Sequence, residues 1–129
     1  MNLKSFQTSV QKSQKELYEF LTDVSNFKTI LPDGLEEFEA REDSFKFALK
    51  GMPAIRLEFV EKVPDKLIKL KATSDNLPVF LTCKIDELNE KEAQAQLFID
   101  ADLNPMMAMM LKKPLQKLLD TLADKMGEL

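Results

Sequence analysis

At 129 residues the chain has the length of one ordinary domain, enough to bury a core without disulfide or metal staples. Apolar residues make up 44% and charged residues 31%, a balance that excludes a disordered or membrane-embedded polypeptide. The 22 acids outnumber the 18 bases, and only Arg41 and Arg56 are arginines, with no basic block; a nucleic-acid footprint is excluded.

The predicted elements begin with a strand over residues 3–10 (LKSFQTSV), with Phe6, Thr8 and Val10 on one side. Ser13-x-x-Glu16 is a capping-box pattern, and Leu17, Tyr18, Phe20 and Leu21 follow at helical spacing, which predicts a short helix to about Asp23. Asn26 to Leu31 reads as a second short helix, ended by Pro32-Asp33-Gly34. Six strands are predicted next, each with an alternating apolar set. Phe38 and Ala40 mark residues 35–42. Phe45, Phe47 and Leu49 mark 44–50. Ile55, Leu57 and Phe59 mark 54–63, and Ile68, Leu70 and Ala72 mark 66–73. Val79, Leu81, Cys83 and Ile85 mark the fifth, and Ala95, Leu97, Ile99 and Ala101 the last. Glu42-Asp43, Gly51-Met52-Pro53, Pro64-Asp65, Asp75-Asn76 and Asn89-Glu90-Lys91 separate them as turns. Alternation with a charged opposite face indicates an antiparallel sheet wet on one side.

Asn104-Pro105 then writes a helix start, because Asn caps well and Pro suits the first helical position. A helix from Pro105 to about Lys125 would be roughly 30 Å long at ~1.5 Å per residue, enough to cross a small sheet. Leu111, Leu115, Leu118, Leu119, Leu122 and Met126 form its apolar stripe, opposite Lys113, Gln116, Lys117, Asp120 and Asp124. Met106, Met109 and Met110 project onto the polar side. Three accounts fit them: cover by the short helices near 13–31 or by the hairpin at 51–54, a lid over a ligand entrance, or an exposed patch for a dimer partner or membrane. Pro114 removes the bond to the Met110 carbonyl and bends the helix there.

The order strand, short helices, six strands, long helix resembles the helix-grip fold of the START-like superfamily (SRPBCC), which includes the birch-pollen allergen type, polyketide cyclases and lipid-transfer domains. Ser13 to Asp23 resembles its first helix, Ile30-Leu31-Pro32 its second helix and exit, and Asp102-Leu103-Asn104-Pro105 the step into its last helix. The expectation is one α+β domain over residues 1–129, a curved antiparallel sheet of about seven strands wrapped on the C-terminal helix. The resemblance implies a cavity between sheet and helix for an apolar small molecule or lipid. It carries no activity, because the family holds carriers, sensors, cyclases and proteins with no known ligand.

The side chains assigned inward are Phe6, Phe38, Phe45, Phe47, Leu49, Ile55, Leu57, Phe59, Ile68, Leu70, Val79, Leu81, Cys83, Ile85, Leu97 and Ile99. The candidates for a ligand-contacting lining are Phe45, Phe47, Leu57, Phe59, Leu70, Leu81, Cys83, Leu97, Met107, Leu111 and Leu115. An ordinary close-packed core is the competing reading. The few polar groups near such a pocket would be Thr8, Thr73 and Asn76, with Arg56 at a mouth and Tyr18 as a further aid to a cyclase or dehydratase.

The chain has no histidine, so the commonest general base and metal ligand are both missing. The lone cysteine, Cys83, forms no internal disulfide and reads as a small buried apolar group. Asp100 and Asp102 share a strand face, but the apolar set beside them places both in water. Glu36, Glu37 and Glu39 read as a charged strand edge. No metal, cofactor or catalytic residue is assigned. No signal-peptide core or apolar run of ~18 residues is present, so a soluble cytoplasmic protein with no integral membrane segment is expected. Non-enzymatic binding of a hydrophobic ligand leads; a cyclase-like enzyme and an interaction module, including a homodimer through the Met-rich helix start, are the alternatives.

Overall fold

The computed structural model describes residues 1–49, 54–73 and 78–129. Two short strands, β1 (Asn2–Lys4) and β2 (Thr8–Val10), precede α1 (Gln14–Thr22), a 3-10 turn (Val24–Asn26) and α2 (Phe27–Ile30). Six strands follow: β3 (Glu37–Ala40), β4 (Ser44–Ala48), β5 (Ile55–Val63), β6 (Leu67–Ala72), β7 (Val79–Asn89) and β8 (Glu92–Ala101). The chain then enters α3 (Pro105–Met126). The eight strands form one antiparallel sheet in the order β1-β8-β7-β6-β5-β4-β3, with β2 also on β8. This is the expected α+β helix-grip arrangement, and α3 packs on β8, β1, β2 and α2.

The predicted first strand is divided. From Leu3 to Thr8 it advances five residues while its partner advances four, from Ile99 to Ala95. The extra residue switches the pleat, so Leu3 and Val10 both turn inward and Phe6, assigned inward from the sequence, lies 48% exposed. Ser5 holds the irregularity together. Its amide donates to the Leu97 carbonyl (2.8 Å), its Oγ accepts from the Leu97 amide (3.0 Å), and its hydroxyl donates to the Phe6 carbonyl (2.8 Å).

Other local signals hold where the residues are described. Ser13 caps α1 reciprocally with Glu16. The second short helix is reduced to the 3-10 turn plus four residues of α2. Pro64 and Asp65 turn β5 into β6, Asp65 taking a positive φ of 66° and Lys66 N–H donating to the Val63 carbonyl. The Gly51-Met52-Pro53 and Asp75-Asn76 signals lie outside the described residues.

A single core spans the inner face. Phe27 of α2 stacks on Phe45 of β4 with ring centroids 4.5 Å apart, and Phe38 and Phe47 pack around Phe45 at 6.0 and 5.8 Å. Phe38, Leu49 and Phe59, assigned inward, are half-buried, and Ala40 is exposed; Phe38 and Ala40 lie on β3, an edge strand of the sheet. On the outer face, lysine side chains roof two aromatics of β7 and β8: Lys69 and Lys71 stand over Phe80, and Lys84 over Phe98. The glutamates of β3 face water as expected. Glu39 binds Arg41 (2.7 Å) and Arg56 (2.9 Å), which holds its carboxyl below the usual range, and Glu37 pairs with Lys46 (3.0 Å).

Candidate functional site

The topology makes the two ends of the sheet different. β4 ends, β5 begins, β6 ends, β7 begins and β8 ends on one side, and α3 starts from that side. The opposite end is closed by α1, α2 and the C-terminal half of α3. Leu17, Leu21, Phe27 and Ile30 of this layer and Leu118, Leu119, Leu122 and Met126 of α3 belong to the one buried core cluster. Asp33, just beyond α2, ties the end of α3 to this layer through Lys125 (2.7 Å), which lowers the Asp33 carboxyl pKa.

Helix α3 grips with its second half. Its buried residues are Leu115, Leu118, Leu119, Leu122, Ala123 and Met126, all beyond Pro114. The helix runs unbroken through Pro114, yet none of its residues before Leu115 is buried. Met107, Ala108, Leu111 and Pro114 are half-covered, while Met106, Met109 and Met110 are 73%, 82% and 68% exposed. The expectation that the short helices cover these methionines is thereby corrected: all three stay exposed, and Asp33, just beyond α2, meets α3 at Lys125 near its C-terminus.

Residual exposure within the core follows the same polarity. At the closed end Val10, Phe45, Ile68 and Ala93 are 0% exposed, while at the α3-start end Leu3, Ala48, Ile55, Val79 and Ala101 retain 5–9%. Half-buried Leu35, Leu49, Leu103 and Leu111 border that end. Among the described residues the sheet is therefore capped at one end and apolar-rimmed at the other.

Of the lining candidates, Phe45, Phe47, Leu57, Leu70, Leu81, Cys83, Leu97 and Leu115 are buried on the inner face, and Phe59, Met107 and Leu111 are half-buried. Ala48, Ile55, Val79, Ala101 and Leu103 join them at the rim. Apolar alternation signals the strand residues among these, whereas Leu103 lies in the irregular step into α3, where periodicity gives no signal. Burial pushes the Cys83 thiol up to about 12, so it is an inert apolar side chain.

The polar candidates are not brought together. Thr8 lies beneath the far end of α3, its Oγ1 2.9 Å from where a side chain on Gly127 would begin. Arg56 is opposite Lys46 on the outer face and bonds Ser44 (3.0 Å) and Glu39 (2.9 Å). Thr73 is exposed, Tyr18 is on α1, and Asn76 lies outside the described residues. Asp100 and Asp102 are exposed, as expected. Among the described residues no group of three or more acids or cysteines is placed to hold a metal, and no helix is long and apolar enough to cross a membrane. Two open hollows are outlined by described residues: about 450 Å³ beside Gln14, Val63, Leu67 and Ile85, and about 250 Å³ beside Asp43, Phe59 and Lys62. Neither is lined by α3.

No family model and no curated protein matches the sequence. Solved structures match its fold. A START superfamily protein from Mycobacterium smegmatis is similar over 98% of this chain and 94% of its own, with a TM-score of 0.76 at 14% identity. Norcoclaurine synthase from Thalictrum flavum, in complex with dopamine and hydroxybenzaldehyde, aligns over 99% of this chain and 84% of its own, with a TM-score of 0.75 at 11% identity. The Aha1 dimer from Colwellia psychrerythraea aligns over 99% and 98%, with a TM-score of 0.61 at 15% identity. The fold is START-like.

Proposed function

We propose that this START-like chain binds an apolar small molecule or lipid at the rimmed end of its sheet, beneath the first half of α3. The observation that carries the reading is the absence of any buried residue in α3 before Leu115, beside a sheet end whose inward side chains are all apolar among the described residues. A packed domain normally buries one whole stripe of such a helix. An apolar molecule seated there would complete the stripe by covering Met107 and Leu111. Binding sites of this kind are mostly apolar with few polar groups. The same fold in the Thalictrum flavum enzyme, in complex with two aromatic molecules, supports a ligand-holding role. A carrier or sensor fits better than an enzyme, because Thr8, Arg56 and Thr73 lie on different faces or ends of the sheet.

Native mass spectrometry of the protein purified from its own host is the test. An apolar adduct is expected, and Val79→Phe or Ile55→Phe, each filling the rim, should displace it. Protein that carries no adduct and binds no naphthalene-sulfonate or fatty-acid probe overturns the proposal.

A further inference from the structure

We infer that the first turns of α3 dock on an anionic lipid surface. Met106, Met109 and Met110 are the three most exposed large apolar side chains among the described residues, and they sit together on two turns at the tip of one helix. Scattered apolar residues on a surface need no explanation, but a contiguous apolar tip does.

Charge selects the occupant. Between Asp102 and Asp120 the chain has no acid and three lysines, Lys112, Lys113 and Lys117, although its formal charge is −4 overall. At 100° per residue, Lys113 and Lys117 continue the face of Met106, Met109 and Met110. At ~1.5 Å per residue they stand roughly 8 and 14 Å along the axis from the centre of the methionine group, with Asp120 and Asp124 farther along the helix, while exposed Asp102 precedes the N-cap and has to stay at headgroup level. With the tip lowered about 5–10 Å into the headgroup boundary, the methionines reach the acyl region and the lysines meet lipid phosphates. The positive end of the helix dipole points the same way.

A second copy fits less well. A parallel two-fold contact along this face would set the lysines of both chains side by side. Three side chains on two turns also offer less than the ~800 Å² per partner that stable pairing uses. The inference does not depend on ligand binding, since a solid interior would leave the same tip exposed.

Flotation of the full chain with phosphatidylcholine vesicles, with and without phosphatidylglycerol, tests it. Wild-type protein should float with the anionic vesicles and be released by salt. Lys113→Gln/Lys117→Gln should weaken partitioning roughly 30-fold, and Met109→Glu/Met110→Glu at least about tenfold. Both pairs are exposed, and an unchanged circular dichroism spectrum shows that the fold is kept. If the Met109→Glu/Met110→Glu protein keeps an apolar adduct in the mass spectrometer, surface docking and ligand holding are separate. No flotation, equal flotation with neutral vesicles, or indifference to either variant overturns the inference. So does a dimer in light scattering that Met109→Glu/Met110→Glu dissolves, since a second copy is then the occupant.

Discussion

Ser5 and Leu97 bond each other twice, once backbone to backbone (2.8 Å) and once from the Leu97 amide to the Ser5 hydroxyl (3.0 Å). The side chain substitutes for a ladder carbonyl at the point where the first strand gains a residue. The bond is buried and allows the edge of the sheet to bend without leaving an amide unpaired.

Ser5→Ala should therefore destabilise the protein by ~1–3 kcal/mol, the cost of a buried amide left without its acceptor. Urea unfolding measures this. A change below about 0.5 kcal/mol, typical of a neutral surface site, would show that the bulge holds without the hydroxyl.

The two halves of α3 should respond differently to truncation. Leu119 is fully buried, and Leu119→Ala should cost ~2–5 kcal/mol. Met109→Ala should lie within ~0.5 kcal/mol of wild type, because Met109 is 82% exposed. Equal losses at both positions would mean that the helix start is covered in solution.

Cys83 should resist thiol reagents in the native state. Its thiol is buried and its pKa is pushed up to about 12, so thiolate is scarce at neutral pH. Labelling by a disulfide reagent should follow global opening and accelerate with denaturant. Rapid stoichiometric labelling of folded protein would place Cys83 at a solvent-reached surface.

The Asp33 carboxyl should titrate below its ordinary value of 3.8, held down first by the hydrogen bond from Lys125 and then by the ammonium charge. A depressed native pKa means that the unfolded chain binds more protons near that pH. The stabilisation is present above the ordinary value and is lost as pH falls through the native one. Lys125→Gln should return the Asp33 carboxyl toward 3.8 in an NMR titration and remove that part of the acid dependence. An unmoved titration would refute the pairing.

Much of the architecture was legible because local chemistry and global fold agree. The Ser13–Glu16 box, Asn104-Pro105 and the alternating sets in β4 to β8 each favour one conformation with residues a few positions apart. Phe6 was misplaced because a one-residue bulge reverses the pleat and leaves no mark in an alternation pattern. The candidate lining was readable as a face. Which end of that face is capped was not, because identical leucines and methionines are buried or bare according to what lies across from them.

The sequence by itself determined that an amphipathic sheet and one C-terminal helix must bury each other, since both carry an apolar face and short-range start signals. Only the tertiary structure decided that α2 and Lys125–Asp33 secure the far half of α3 while its methionine-rich start stands clear. Burial depends on partners distant along the chain, and no local pattern encodes where those partners stop.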